Sequence, residues 1–388
     1  MDMNIVIIDH EPYSFRKKSH YYIDQFLSDG WNVEYWAVNN ILDYTKDVTY
    51  LYTEDDFFVR YFLNEKELLD AMWKFDPKLT IFIIEIFFNW STLNIYKTLK
   101  RGNYSWIKID YYFNPTEFIN PPANLIDKIF NWQSSLPEKI MRFLFNIKYA
   151  KSSLDEPDIL FLTGNNKIGA GKGKKIETLD YFDVEVYENL KGNASILPYK
   201  YIVFLDIFLP YHPDAQRSGH YNYINPQDYF NKINKFFDQI EKQTGYPVVI
   251  ACHPKANYTV EFGSRKLFKH KTAELCIHSE LILTHGSLSI SFGLFAKKPL
   301  VFIYSKQLFC KNKLLKRLIF RMNVVCKYLD LPKINIDNYD ETNILVKNVD
   351  DIKYSNFLNL LYLNTNKIKK ESNLYTLKNN FLTLLNLN

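Results

Sequence analysis

Side chains that do chemistry are best aimed where an apolar run ends, because a strand that stops there is a rigid support for the loop beyond it. Three such places stand in the second half of the chain and one in the first. The run Val248-Val-Ile-Ala-Cys ends in His253-Pro254-Lys255. Proline fixes the backbone beyond the imidazole, and an imidazole beside an ammonium group can hydrogen-bond a phosphate. A histidine packed at a strand end with no ligand fits the same residues. The run Leu281-Ile-Leu-Thr leads through His285, Gly286 and Ser287 to Ser289, Ser291 and a further apolar stretch. A small-residue turn that opens a helix offers unpaired N–H groups, the positive end of the helix dipole and serine hydroxyls, which together hold an anion without a metal. Plain serine capping of the helix competes with that reading. Asp206 follows the apolar stretch of residues 201–205. It is either a general base for an acceptor hydroxyl or a nucleophile toward an electrophilic carbon, or else an ion-paired or turn-capping carboxylate. His212, Asp214, Arg217 and His220 come next, and a loop there would bring His212, Arg217 and His220 to a substrate. In the first half, Glu85 interrupts the most apolar run, residues 81–88, as a second catalytic candidate facing an acceptor or as a buried, hydrogen-bonded structural acid.

Strands and helices must alternate to position these groups, and the apolar pattern provides that. Strands are expected at residues 4–8, 31–38, 79–88, 106–112 and 158–163, with helices at 16–28 and 93–99. A loop is expected at 164–175, and another ordered loop around Asp180 and Asp183. A second alternation comes after it: strands at 201–207, 247–252, 281–284 and 300–304, helices at 226–244, 272–278 and 290–296. Runs this apolar belong to parallel sheets covered on both faces. The expected fold class is therefore α/β, with two Rossmann-like domains facing a central cleft, the ligand sitting at the carboxyl ends of the strands. The boundaries are expected at 1–195, 196–350 and 351–388, the junction falling near residues 189–200 and the last segment packing back, as helix, on the first domain. The glycines at 169, 171 and 173 form neither a P-loop, since no Gly-Lys-Ser/Thr opens a helix there, nor a dinucleotide fingerprint.

Composition narrows the classes further. At 388 residues the chain exceeds what one core usually serves, and 47% apolar residues exclude a disordered chain. The four cysteines lie far apart, with no CxxC pair and no Cys/His cluster, so neither a structural zinc nor a disulfide framework is expected and a reducing cytoplasm fits. The start of the chain has acidic residues and a short apolar run, unlike a signal peptide. A net charge of +5 spread along the sequence argues against nucleic acid as a partner. Residues 311–321, basic with interspersed Leu and Ile, read as a solvated helix face or as a surface for an anionic membrane.

His253-Pro254 followed by Ser287, Ser289 and Ser291 is similar to the HP and S motifs of bacterial sialyltransferases and polysialyltransferases. The segments around Asp206 and residues 180–187 resemble those of capsule and lipopolysaccharide O-antigen glycosyltransferases that use CMP-activated ulosonic acids, among them the retaining β-Kdo transferases. The resemblance spans about residues 175–305; the acidic-acidic-glycine motif of the sialyltransferases is absent as such. It implies a GT-B fold with an acceptor-binding first domain, donor CMP in the second, and no required metal or further cofactor. It also implies that His253 and the three serines contact the CMP phosphate and that Asp206 serves the reaction centre; Pro254, Lys255, His285 and Gly286 beside them are further nucleotide-binding candidates. The implied partners are a nucleotide-sugar donor and a glycan or lipid-linked glycan acceptor, met in the cytoplasm or at the inner face of the membrane with peripheral association. Competing expectations are a GT-B transferase using a UDP- or GDP-sugar, a two-domain sugar-nucleotide epimerase, and a non-catalytic α/β partner protein in polysaccharide assembly. The UDP/GDP reading usually requires an acid about one turn into the helix after the serine turn, and residues 292–297 contain none.

Overall fold

Short runs of Ile, Val, Leu and Phe become strands buried on both faces, which is how parallel sheets are made. A computed structural model describes residues 3–42, 55–110, 136–149, 151–164, 173–212, 224–309, 313–362 and 371–386. They divide into two compact units: the first takes in the described residues of 3–182 and 371–386, the second those of 183–362.

The first unit holds a seven-stranded sheet. Its strands are β1 Asn4–Asp9, β2 Asn32–Ala37, β3 Val59–Tyr61, β4 Thr80–Glu85, β5 Ser105–Asp110, β6 Ile159–Thr163 and β7 Lys175–Leu179, in the order β3-β2-β1-β4-β5-β6-β7. Every pairing is parallel. Side chains alternate across it: Ile5, Ile7, Ile81 and Ile83 join one core, Val6, Ile8, Phe82 and Ile84 the other. The helices Glu65–Met72 and Leu93–Arg101 fill the second core with Leu68, Met72, Ile95 and Leu99. Helix Asn373–Leu384, distant in sequence, fills the first with Leu377 and Phe381.

The second unit repeats the plan. Its strands β8 Ile202–Leu205, β9 Val248–Ala251, β10 Leu267–Phe268, β11 Leu281–Thr284, β12 Leu300–Tyr304 and β13 Lys333–Asn335 lie in the order β10-β9-β8-β11-β12-β13, all parallel. Helix Pro226–Thr244 starts with proline after an Asn225 side-chain cap and ends at Gly245 in the left-handed region. Its face of Tyr229, Ile233, Phe236, Phe237 and Ile240 is fully buried. In both sheets the first strand stands in the middle and the order reverses beside it, between β1 and β4 and between β8 and β11. That reversal is where open α/β sheets leave a crevice for a ligand.

Two of the expected elements differ in the structure. The helix expected over residues 16–28 is two, Phe15–His20 and Ile23–Ser28, separated by Tyr22 at φ 55°. Just before that break the Tyr21 hydroxyl bonds the buried Asp9 carboxylate at 3.1 Å. The loop expected around Asp180 and Asp183 contains a helix, Phe182–Leu190, whose Asp183 and Glu185 suit the positive end of its dipole. The chain passes between the units at 182–183, and helix Asp351–Leu361 belongs with the second unit while 371–386 belongs with the first.

The described tryptophans, Trp31, Trp36, Trp73, Trp90 and Trp106, all belong to the first unit, so their fluorescence reports on it. Phe381 is fully buried there and stacks on Phe26 with centroids 5.5 Å apart. Phe381→Ala is expected to lower the stability of that unit by about 3–5 kcal/mol in denaturant titrations followed by this fluorescence. A loss of less than about 1 kcal/mol would mean that the C-terminal helix is not part of the core.

Candidate functional site

The strand register sets the candidates of the second unit side by side. Leu205 pairs with Ala251 on one side and with Thr284 on the other, so β9, β8 and β11 end level with one another. Asp206, Cys252-His253 and His285-Gly286 therefore leave the same edge of the sheet. The loops after β9 and β11 rise about 10 Å apart across β8, flanking the reversal point.

Asp206 is 6% exposed, and its carboxylate is filled by protein donors. Oδ1 accepts the Phe208 N–H at 2.8 Å and the Tyr258 hydroxyl at 3.1 Å; Oδ2 accepts the His253 N–H at 3.0 Å and the same hydroxyl at 3.0 Å. Burial pushes its pKa up to about 6, against the pull of those hydrogen bonds, so it is mainly ionised at neutral pH. These donors tie the β8 and β9 loops to the carboxylate that the sequence singled out as a base or nucleophile. Tyr258, which that suggestion did not include, is its closing partner. It lies 52 positions away, and no local spacing signals it.

His253 is what Asp206 positions. Its Nδ1 accepts the Lys255 N–H at 3.2 Å, which leaves Nε2 to carry the proton of the neutral ring. The ring lies parallel to Phe208, with centroids 5.8 Å apart at 9°, and beside His212 at 5.6 Å. His253 and Lys255 are half-buried and Pro254 is exposed, so this corner is partly open to solvent. Of the three loop residues expected to contact a substrate, His212 is here; Arg217 and His220 lie outside the described residues.

The serine turn is built differently from the expectation. Thr284 Oγ1 accepts both the Gly286 and the Ser287 N–H at 3.0 Å, and Ser287 Oγ accepts the Ser289 N–H at 3.3 Å. The helix after the turn, Ile290–Phe295, is only six residues long. The turn uses these N–H groups internally, and what it offers outward is the half-buried Ser287–Ser289 stretch. Gly286 sits at φ +115°, where a side chain is strained, and an added Cβ would come within 3.1 Å of Leu318 Cδ1, which would have to give way. Its carbonyl takes a hydrogen bond from Arg321 Nη1 at 3.3 Å.

Two members of this block turn inward. His285 is fully buried between the Tyr229 hydroxyl at 2.8 Å and the Ile303 carbonyl at 2.6 Å. Burial drops its pKa to about 4, so it is a neutral core histidine and not a phosphate contact. Ser291 is buried and donates to the Asp183 carboxylate of helix Phe182–Leu190.

The first unit has its own polar group at its reversal point. Asp9 and Glu85 end β1 and β4 as register partners, 0% and 8% exposed. Lys17 Nζ lies 2.6 Å from Asp9 and 3.2 Å from Glu11. Glu85 Oε1 accepts the Ile109 N–H at 3.1 Å. Burial first, and the Asp9 charge second, push the Glu85 pKa up to about 8, so at neutral pH it is mainly a carboxylic acid with a proton to donate. Among the described residues no group of three or more His, Cys, Asp or Glu is arranged to hold a metal ion.

No protein-family model matches the sequence, and no curated protein matches it. Solved structures match the whole length at low similarity. They include the spinosyn forosaminyltransferase SpnP (11% identity, TM-score 0.44, covering 100% of this chain and 95% of that one). Another is Arabidopsis thaliana UGT89C1 complexed with quercetin (11%, 0.49, 99% and 100%). A third is the UDP-GlcNAc 2-epimerase of Methanocaldococcus jannaschii (12%, 0.42, 97% and 96%). At such identities and TM-scores the likeness carries no argument about activity.

The proton on Glu85 has a measurable consequence. Between the unfolded carboxyl range and about pH 8 the folded chain holds a proton that the unfolded chain releases, so this group's contribution to stability falls as pH rises through that window. Glu85→Gln mimics the protonated acid at every pH. Its stability relative to the wild type is expected to rise from pH 5 to pH 8 by up to about 4 kcal/mol and then level off, in urea titrations followed by tryptophan fluorescence. A difference independent of pH would mean that Glu85 is ionised in the fold.

Proposed function

We propose that the protein is a glycosyltransferase whose second unit binds a nucleotide-activated sugar, with a CMP-activated ulosonic acid of the Kdo or sialic type as donor and a glycan of surface-polysaccharide synthesis as acceptor. The observation that carries this reading is the aimed His253-Pro254-Lys255 corner at the end of β9. It lies across β8 from the half-buried Ser287–Ser289 turn and flanks the reversal point of a Rossmann-ordered sheet. An Nε2–H, a lysine and serine hydroxyls supply donors for a phosphate whose charge grows as the glycosidic bond to it breaks. The donors come from the protein, so the reading needs no metal at the phosphate.

The helix beyond the serine turn bears on the donor nucleotide. Helix Ile290–Phe295 carries only Ile, Ser, Phe, Gly and Leu, with no acid to grip the hydroxyls of a UDP- or GDP-linked ribose. A monophosphate donor also asks for one phosphate group to be held rather than two. In the first unit Glu85, neutral at physiological pH, serves an acceptor as a hydrogen-bond donor and not as a base.

The test is thermal unfolding of the purified chain with CMP, CDP, UDP and GDP, each without added metal. A ligand that binds only the folded state raises the melting temperature by mass action. CMP is expected to raise it more than the others do, and His253→Ala to diminish the rise without removing it. A rise with UDP or GDP instead would keep a nucleotide site and discard the ulosonate donor. No rise with any of the four would overturn the proposal.

A further inference from the structure

Helix Lys313–Leu329 backs the serine turn of the second unit at two points one helical turn apart. An added Cβ on Gly286 would meet Leu318 Cδ1 at 3.1 Å, and Arg321 Nη1 donates to the Gly286 carbonyl at 3.3 Å. Leu315, Leu318 and Ile319 are buried in the second unit, so the basic helix that the sequence left open to solvent or to an anionic membrane packs its apolar side inward. Arg321 is half-buried. Ser287 follows the carbonyl that Arg321 grips, which sets Nη1 within about 6 Å of the Ser287 Cα. A planar guanidinium carries its N–H donors in a fixed fork and keeps its charge at any physiological pH. The Gly286 carbonyl, at the long end of hydrogen-bond range, occupies one of them.

The sequence around this turn lacks acids. Between Glu280 and Asp330 stand nine Lys and Arg and no Asp or Glu, while the whole chain has 43 acids in 388 residues. At that frequency about five acids would fall in the interval. It folds into β11, the serine turn, helix Ile290–Phe295, β12 and helix Lys313–Leu329. Acids of other segments reach it at Ser291 (Asp183), at Lys297 (Asp351), and at Ser305 and the Lys306 N–H (Asp337). A turn set in such surroundings favours an anion. The His253 corner has a cation of its own in Lys255, about 10 Å away across β8, whereas the serine hydroxyls carry no charge. A phosphate held between the two loops therefore asks for a cation on the serine side, and Arg321 is the charged side chain that the structure sets against that turn.

We infer that Arg321 binds the phosphate of the nucleotide donor at the Ser287–Ser289 turn, its guanidinium meeting the phosphate oxygens from the side opposite the His253-Lys255 corner. This deepens the proposed function and rests on its nucleotide site, though not on the cytosine base. When the bond from the sugar carbon to the phosphate oxygen breaks, its electron pair stays on that oxygen and the leaving phosphate gains a negative charge. A guanidinium fixed beside the phosphate stabilises that charge as it grows.

The experiment is calorimetric titration of the full chain with CMP and with cytidine, a pair that differs only in the phosphate. Arg321→Gln is expected to weaken CMP by about tenfold or more, the worth of a charge-assisted contact, and cytidine by less than about twofold. Arg321→Lys keeps the charge but not the fork. It is expected to lose about threefold for CMP with no loss for cytidine, and it carries the test if the glutamine variant does not fold. Lys316→Gln removes an exposed charge of the same helix and should change neither ligand by more than about twofold. A guanidinium that only braced the Gly286 carbonyl would act on both ligands alike. Equal losses for CMP and cytidine, or CMP binding untouched in both Arg321 variants, would therefore overturn the inference and leave the nucleotide reading in place. If UDP or GDP binds instead of CMP, the same comparison with its own nucleoside decides in the same way. A wild-type chain that binds no nucleotide would overturn the reading and the inference together.

Discussion

A carboxylate taken out of water must be met by donors, or the fold loses several kcal/mol to it. In the second unit that constraint falls on Asp206, and its solution organises the candidate site. The four contacts it accepts come from the β8 loop, from the first residue beyond Cys252 and from Tyr258. Phe208 is held at φ 60°, a region a non-glycine residue occupies only when its surroundings insist. With Phe208 fixed, its ring becomes the plate on which the His253 imidazole lies. The geometry of the corner is thus inherited from one buried charge.

The two sheets meet the same problem in different ways. Each reverses its strand order beside its first strand, and each places an acid at that point. Asp206 is satisfied by neutral N–H and O–H donors. Asp9 is satisfied by an ion pair with Lys17 and by the Tyr21 hydroxyl. Its neighbour Glu85, with the Ile109 N–H on one oxygen, is left holding a proton. Beneath the likeness of the two sheets the chemistry is divided: a charged loop-former in the second unit, a proton-bearing acid in the first.

Much of the scaffold was legible because it depends on local pattern. The helices Pro226–Thr244 and Thr272–His278 and the strands Leu281–Thr284 and Leu300–Tyr304 fall where apolar periodicity, an Asn-Pro start and a glycine stop put them. The short edge strands Val59–Tyr61 and Lys333–Asn335 were not, since three half-polar residues carry no period to read. Within the site, sequence located the strand ends but not the partners. Tyr258 for Asp206, Arg321 for the Gly286 carbonyl, Asp183 for Ser291 and Tyr229 for His285 are 52, 35, 108 and 56 positions distant. Hence His285 and Ser291 read as ligand contacts in a string of small polar residues, while their side chains are committed to the core.

If Asp206 acts on a bound nucleotide through His253, the two residues must be coupled in binding, and a double-mutant cycle on CMP affinity tests that most directly. Calorimetric titration would compare the wild type, Asp206→Asn, His253→Ala and the double variant. If the carboxylate holds the His253 corner against bound CMP, Asp206→Asn is expected to weaken that binding by about tenfold in the wild-type background. In the His253→Ala background it then has almost no effect. An equal loss in both backgrounds would contradict the account and would mean that Asp206 meets the ligand itself.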